Sequence, residues 1–191
     1  MSDVDTKAAT VLLLLNVQVG LVADPPQGIP AALTVRENIT RVLEAARCAE
    51  HPPCIIHVRN CGGPGEPDED RTPSWELANV PQPGEHVLDK RKNNAFSGTA
   101  LDELIDPQAE LIVVGIMSEY SIKSTCKVAL DRGNTVLLIR GAHGTYNHIG
   151  LADGGAVTPA EKISAQVEQD LDLAGAIVLD MELLSGLFHG R

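Results

Sequence analysis

Short, continuous runs of aliphatic residues divide the chain into regular segments. Each run is four or five residues long and, apart from His57 and Thr135, apolar at successive rather than alternate positions. Strands of this kind are typical of a parallel sheet that helices cover on both faces, because neither side of the strand meets water. The five runs span residues 11–15, 54–58, 111–114, 135–139 and 176–179.

The segments between the runs have the spacing of amphipathic helices. Residues 34–37 and 158–161 both have capping-box spacing and precede apolar residues that share one helix face. A third helix is predicted over residues 121–131, and a short fourth begins near Thr99. Alternating strands and helices predict the α/β class, as a three-layer α/β/α sandwich around a central, mostly parallel sheet of five or six strands.

One long irregular segment, residues 60–84, interrupts this alternation. It is rich in Gly and Pro and contains Trp75, the only tryptophan. A loop of this length inside a compact domain usually has a function or covers a site. With 191 residues, we expect one domain spanning residues 1–191, with a flexible N-terminus over residues 1–8.

The composition excludes several classes of partner. Fifteen Lys and Arg stand against 26 Asp and Glu, a formal net charge of −11, so we expect neither a nucleic-acid nor an anionic-membrane partner. No apolar stretch approaches the ~20 residues of a membrane span, which predicts a cytoplasmic protein. Four cysteines without a CxxC pair exclude a disulfide scaffold and a zinc knuckle. We expect no metal and no cofactor.

Candidate chemistry follows the ends of the predicted strands. In an open parallel sheet, ligands bind beyond the carboxyl ends of the strands. Asn16 and Gln18 follow the first run, residues 59–61 follow the second, and Ser121 lies where a helix begins after the third. A serine at a helix start has backbone N–H groups beside it that can hold a developing oxyanion.

Five segments in this order and spacing resemble the isochorismatase-like cysteine hydrolases, which include nicotinamidases and other small-amide hydrolases. The resemblance extends from Val11 to about Leu179 and so covers nearly the whole chain. Each segment alone is a weak motif, but five in the correct order are specific. The segments are residues 13–18, 57–65, 90–99, 115–121 and 142–146.

The resemblance implies a catalytic triad with two altered members. The family uses an Asp that takes the proton of a Cys nucleophile, and a Lys that stabilises charge beside it. Lys90 fits that lysine, but Asn16 stands at the Asp position and Ser121 at the Cys position. An amide does not act as a general base at neutral pH, and a hydroxyl needs a nearby base to become nucleophilic. Asn16 also argues against hydrolysis of a vinyl ether such as isochorismate.

The resemblance further implies an oxyanion hole around a non-proline cis peptide bond, expected between Met117 and Ser118. Family members that hold a metal use a His-x-His pattern near the second strand, whereas here Arg59 lies two residues after His57, so no metal site is expected. Members commonly form dimers or tetramers, and we expect a small-molecule ligand and a homodimer or homotetramer. Further pocket residues implied by these motifs are Gln18, Trp75, Phe96 and Tyr120.

Several interpretations stay open. The first is a homologue with a degraded triad, which keeps a ligand pocket but hydrolyses small amides weakly or not at all. The second is an active hydrolase that uses Ser121 with Lys90, or Cys61 as a thiolate. The third is a non-catalytic, oligomeric interaction protein. A fourth is that Ser121 is a laboratory substitution of a cysteine, of the kind used to trap a substrate. A structure with Lys90 within hydrogen-bond reach of Ser121 and an open pocket above them would favour a catalytic protein. A pocket filled by Trp75 or Met117 would favour a non-catalytic one.

Overall fold

The structure, a computed structural model, describes residues 8–150 and 154–189. Six parallel strands form the central sheet, and two short strands form a separate antiparallel pair. The strands are β1 Ala8–Leu15, β2 Cys54–Asn60, β3 His86–Lys90, β4 Ile105–Ile116, β5 Thr135–Gly144, β6 His148–Gly150, β7 Ala156–Thr158 and β8 Ile177–Leu179. The order in the large sheet is β3-β2-β1-β4-β5-β8, which confirms the predicted α/β sandwich.

The helices cover both faces of this sheet. They are α1 Ala32–Arg47, α2 Leu101–Leu104, α3 Lys123–Arg132, α4 Ala160–Leu173 and α5 Leu184–Leu187. The two predicted capping boxes are not formed, since neither α1 nor α4 has a side-chain hydrogen bond at its N-cap. Helix α1 begins two residues before Thr34, and the Asn147 side chain accepts a hydrogen bond from the first amide of α4, Ala160 N–H, at 2.8 Å.

The core lies on both faces of the sheet, which explains why the runs are apolar at successive rather than alternate positions. Successive side chains of a strand point to opposite faces. In β1, Leu12 and Leu14 belong to the cluster with α1 and α5, while Val11, Leu13 and Leu15 belong to the cluster with α3 and α4. All five are fully buried.

The strand order creates a crevice between β1 and β4. From β1 the chain moves outward to β2 and β3, and then returns to the other side of β1 with β4. At such a reversal the connections on the two sides diverge and leave room for a ligand at the carboxyl ends of the strands. Asn16 directly follows β1, and Met117 directly follows β4.

Gly115 allows β4 to lie close to β1 at this crevice. Its φ is +130°, and the β-carbon of any other residue would lie 2.0 Å from the Leu15 carbonyl oxygen. The pairing of β4 with β5 also shifts register between Val113 and Gly115. The end of β4 therefore has a geometry that only glycine accommodates.

Three strands have no counterpart among the predicted runs. Strand β3 lies at the edge of the sheet and buries only its last residue, Lys90, so it lacks an aliphatic run. Strands β6 and β7 are three residues each. Of the predicted flexible segment, residues 1–7 lie outside the described residues, and Ala8 begins β1. None of the described helices is long and apolar enough to cross a membrane.

Candidate active site

Ser121 lies on a π-helical turn, Ser118–Ile122, that joins β4 to α3. The amides of Tyr120 and Ile122 both donate to the Met117 carbonyl, each at 3.2 Å. Single π-turns are frequent at functional sites. The helix predicted from residue 121 therefore begins two residues later, at Lys123, because Ser121 belongs to the turn before it.

A non-proline cis peptide bond precedes this turn, one residue earlier than expected. It joins Ile116 to Met117, not Met117 to Ser118. Ile116 is still paired with Gly144 of β5, so the cis bond lies where β4 ends. The motif that implied the cis bond does not show at which residue β4 ends, so the expected position was wrong by one residue.

The Ser121 hydroxyl accepts hydrogen bonds from two side chains, one directly after β1 and one at the end of β3. Asn16 Nδ2 donates to Ser121 Oγ at 2.9 Å, and Lys90 Nζ donates to the same oxygen at 3.1 Å. All three side chains are at most 2% exposed. The three positions that the sequence singled out as a triad are thus brought together, and both acceptor sites of the hydroxyl oxygen are occupied.

Asn16 is fixed by its backbone as well as by its side chain. Its φ is +53°, in the left-handed region that Asn and Asp adopt more readily than most residues. The backbone N–H of Asn16 donates to the Val58 carbonyl at 2.7 Å. The side-chain oxygen Oδ1 is buried and has no hydrogen-bond partner among the described residues, so Asn16 carries an unused acceptor.

Lys90 is a buried amine at the end of β3. Its Nζ donates to Asn60 Oδ1 at 3.1 Å in addition to Ser121. Burial disfavours the charged form and lowers the pKa of Lys90 to about 8, although the negative charge of Asp68 acts in the opposite direction. Near neutral pH a fraction of Lys90 is therefore a neutral amine that can accept a proton.

Two further residues connect this triad to the long loop. Asn60 ends β2, and its Nδ2 donates to Asp68 Oδ2 at 2.7 Å. A hydrogen-bonded path thus runs from Asp68 through Asn60 and Lys90 to Ser121. The expectation that ligands bind beyond the carboxyl ends of the strands had indicated residues 59–61, which include Asn60. Asp68 lies in the irregular loop, where the sequence offers no periodicity and no motif for it.

An open cavity of about 670 Å³ lies against the Ser121 hydroxyl, within the size range of small-molecule sites. Met117 and Tyr120, both predicted pocket residues, are in its wall, and neither fills it. Tyr146 and Cys61 line it as well. The site therefore has Lys90 in contact with Ser121 beneath an accessible pocket.

Gln18 and Trp75 support the cavity without lining it. Gln18 Oε1 accepts a hydrogen bond from the backbone N–H of Asn60 at 2.8 Å, and Gln18 Nε2 donates to the backbone carbonyl of Trp75 at 2.9 Å. The Trp75 ring packs against the Arg59 guanidinium, 3.7 Å from the ring centroid. Gln18 is fully buried and ties the long loop to β2.

Phe96 and Ser118 also lie outside the cavity. Phe96 belongs to the core cluster with α3 and α4, with the Arg132 guanidinium 4.5 Å from its ring centroid. The hydroxyl of Ser118 points away from the cavity and is hydrogen-bonded to His143 Nδ1 at 2.8 Å. Residues that are close to Ser121 or Lys90 in the sequence therefore lie partly in the cavity wall and partly in the core. A sequence motif does not show which of the two each residue joins.

The turn that carries Ser121 is held by the segment after β5. Glu119 Oε1 accepts from Thr145 Oγ1 at 2.8 Å and contacts His148 Nε2 at 2.7 Å. Tyr146, between these two partners, reaches the cavity. Thr145 and His148 therefore hold the turn that carries Ser121 on one side of the pocket.

The cysteines are poor candidates for a thiolate nucleophile. Burial and the nearby carboxylates Asp70 and Asp89 raise the pKa of the Cys61 thiol, which lines the cavity. Cys126 is completely buried, and burial raises the pKa of its thiol to about 12. Within residues 8–150 and 154–189, no cluster of three or more His, Cys, Asp or Glu side chains could hold a metal ion.

Comparison with known proteins identifies relatives of this architecture. Residues 10–154 match the Isochorismatase domain model. The chain is 34% identical over 161 residues to a streptothricin hydrolase from Streptomyces noursei; the match covers 82% of this chain but only 57% of that relative. An isochorismatase structure from Pseudomonas putida KT2440 has a TM-score of 0.79 at 28% identity, covering 93% of this chain and 91% of the other. An isochorismatase-family structure from Chromobacterium violaceum has a TM-score of 0.80 at 24% identity, covering 100% and 97%, a likeness of fold.

Proposed function

This chain belongs to the isochorismatase family, and from that premise we propose that it hydrolyses small amides with Ser121 as nucleophile and Lys90 as general base. The observation that carries the proposal is the 3.1 Å hydrogen bond between Lys90 Nζ and Ser121 Oγ. The lysine is buried, its pKa is lowered to about 8, and an open cavity adjoins the hydroxyl. A lysine with a lowered pKa can activate a serine where no carboxylate is available.

In the acylation step, the neutral Lys90 amine takes the proton of the Ser121 hydroxyl while Oγ attacks the amide carbonyl carbon. The tetrahedral intermediate then breaks its C–N bond, and the Lys90 ammonium returns the proton to the departing nitrogen. The products of this step are an amine or ammonia and an acyl ester on Ser121. Asn16 Nδ2, 2.9 Å from Oγ, orients the hydroxyl but does not take the proton.

In the deacylation step, the neutral Lys90 amine takes a proton from water, whose oxygen attacks the acyl ester. The ester C–O bond breaks, and Lys90 returns the proton to Ser121 Oγ, which restores the starting state and releases a carboxylic acid. The cavity leaves space for water at this point. Lys90 thus serves as base and then acid in both halves of the cycle.

The test is a hydrolysis assay with streptothricin, nicotinamide, N-carbamoyl compounds, ureides and isochorismate. Streptothricin is included because one relative is a streptothricin hydrolase. We expect Ser121→Ala and Lys90→Met each to lower kcat/KM by about 10²–10⁴-fold, while Cys61→Ala keeps most of the activity. Lys127→Met, at an exposed position of α3, is the matched control. Full turnover by Ser121→Ala would overturn the serine mechanism.

The alternative is a homologue that binds a ligand without hydrolysing it. The observation in its favour is that the Asn16 side chain cannot accept a proton from Ser121. If the natural chain turns over none of the substrates, the double variant Asn16→Asp with Ser121→Cys should recover activity. Such a result would assign an intact pocket to a chain that has lost its base and nucleophile.

A further inference from the structure

We propose that the cavity selects amide substrates that carry a protonated amino group, and that Asp68 is the residue that binds this ammonium group. The inference rests on the proposed function, since it names the substrate class of the same site. It follows from the hydrogen-bonding groups that the inner cavity wall leaves unused, and from the charges that surround them.

Asp68 is a buried carboxylate with one oxygen available to a ligand. It is 6% exposed and lines the cavity. Its Oδ2 accepts from Asn60 Nδ2, whereas Oδ1 has no hydrogen bond, and Asp68 has no ion pair, within the part of the chain that the structure describes. A buried carboxylate is stable when it is paired with a cation or with several donors. One neutral donor leaves room for a cationic partner.

A second, independent group in the same cavity also lacks a donor. Asn16 lines the cavity, is 2% exposed, and its Oδ1 has no partner among the described residues. Two N–H groups of Lys90 are already given to Asn60 and Ser121. Two acceptors of the inner wall are therefore unused. Asn16 Oδ1 is closed off from solvent, so Asp68 Oδ1 is the acceptor that the cavity offers to an N–H donor of a ligand.

The side chain of Asp68 occupies space that a glycine leaves open. A β-carbon at Gly62 would lie 2.4 Å from Asp68 Oδ1, and the Gly62 amide donates to the Asp68 carbonyl at 2.9 Å. The start of the long loop is thus folded tightly around this carboxylate. Any larger residue at position 62 would displace Asp68 from the cavity wall.

The cations and the other carboxylate that line the cavity lie at its exposed rim. Arg91 is exposed and paired with Asp70 at 2.7 Å, and Lys92 is exposed. Glu66 is exposed too, and its Oε2 accepts from the Gly63 amide at 2.6 Å. Charges in contact with water are strongly screened. At a pKa of about 8, Lys90 is largely protonated at pH 7 and offsets the charge of Asp68. Once Lys90 is in the neutral form that activates Ser121, no cation in the cavity interior offsets the buried charge of Asp68, among the described residues.

An ammonium group bound at Asp68 would also favour the reactive form of Lys90. A second positive charge in the cavity disfavours protonation of the Lys90 amine, and the neutral amine is the form that activates Ser121. Substrate charge and catalysis are then coupled. A neutral amide of equal size would gain neither the contact with Asp68 nor this assistance.

The test compares isosteric substrates that differ only in charge. The chain is assayed with ω-amino amides from 3-aminopropanamide to 6-aminohexanamide, each against the alkanamide in which a methyl group replaces the ammonium. We expect kcat/KM for the best amino amide to exceed that of its neutral isostere by about 10- to 100-fold, the range of a charge-assisted hydrogen bond. Asp68→Asn should reduce the ratio to near one, whereas the control Asp70→Asn in the same loop should keep it.

The neutral isostere also separates binding from the effect of Asp68 on Lys90. Asp68 raises the pKa of Lys90, so Asp68→Asn should shift the pH profile for the neutral amide to lower pH without abolishing turnover. Loss of turnover for the amino amide alone identifies a binding role. Equal rates for the two substrates, or a preference that survives in Asp68→Asn, would overturn the proposal.

Binding measured without turnover distinguishes this inference from the proposed function. Titration calorimetry with the Ser121→Ala variant should give a Kd for the amino amide about 10-fold or more below that of its neutral isostere. If the natural chain hydrolyses neither compound yet this Asp68-dependent difference is found, the binding inference holds and the hydrolase proposal fails. If both compounds are hydrolysed equally and bind equally, the hydrolase proposal holds and the binding inference fails.

Discussion

At the scale of single residues, the site joins an amide, an amine and a hydroxyl through hydrogen bonds. Asn16 has a left-handed backbone, which Asn and Asp adopt more readily than most residues, and its side chain contacts Ser121. Of the two described side chains that are hydrogen-bonded to Ser121 Oγ, only Lys90 can gain and lose a proton near neutral pH. In the proposed mechanism, the protonation state of Lys90 therefore controls the rate of hydrolysis.

The pH dependence of hydrolysis follows from this assignment. Because the pKa of Lys90 is about 8, we expect kcat/KM to rise about tenfold per pH unit below pH 8 and to level off above it. Lys90→Arg should remove activity at every pH, since a guanidinium does not give up its proton. The measurement is a rate profile from about pH 6 to about pH 10. A flat profile, or activity in the arginine variant, would contradict a lysine base.

At the scale of elements, the position of Ser121 depends on how β4 ends. The π-turn Ser118–Ile122 follows a strand whose last residues pass close to β1, and the two residues that begin the turn are held by His143, Thr145 and His148. Pairing of β4 on both sides thus determines the position of Ser121. A change in the end of β4 is expected to affect folding and the site together.

Gly115→Ala tests this dependence. A β-carbon there would lie 2.0 Å from the Leu15 carbonyl oxygen at a φ of +130°, so we expect a loss of at least about 3 kcal/mol in the free energy of unfolding. Gly186→Ala in α5 is the matched control, because nothing lies within 4 Å of its β-carbon position; it should be neutral or stabilising by about 0.5–1 kcal/mol. Urea unfolding measures both, and similar stabilities would refute the argument.

At the scale of the whole molecule, a partly buried ionic cluster joins a helix, a strand and the residue that follows the long loop. Glu85 accepts from Arg47 of α1 at 2.7 and 2.9 Å and contacts His57 of β2 at 2.8 Å. Burial alone would raise the pKa of Glu85, but hydrogen bonds from Arg47, the Gln82 amide and His57 outweigh it and lower the pKa to about 2. Burial lowers the pKa of His57, which stays neutral at pH 7.

This cluster predicts sensitivity to acid. A carboxylate whose pKa is depressed on folding stabilises the protein above its unfolded pKa of about 4.5, and that contribution is lost as the pH falls toward 2. The lowered pKa of His57 acts in the same direction, beginning below about pH 6.5. Glu85→Gln should lose on the order of 2 kcal/mol at pH 7 and converge with the natural chain near pH 2. Urea unfolding at several pH values measures this, with the exposed Glu103→Gln as control.

The sequence predicted the parts of the molecule in which one physical effect dominates. Burial on both faces of the sheet produced the aliphatic runs of β1, β2, β4 and β5, and these, with the partly exposed run of the edge strand β8, sufficed for the fold class. Strand β3 could not be found in this way because its exposed edge carries no such run. Asp68 and the direction of the Ser118 side chain depend on how loops pack in three dimensions, for which the chain has no local signal. The cytoplasmic location and the homo-oligomeric state stay predictions.

The location of Lys90 on an edge strand has a consequence for how the protein fails under stress. Strand β3 is paired only with β2 and is largely exposed, so it is expected to open locally before the central strands do. Once β3 detaches, the amine regains its full hydration and holds its proton, and Ser121 loses the base of the proposed mechanism. Hydrolysis should therefore be lost at a denaturant concentration at which circular dichroism still reports a folded chain.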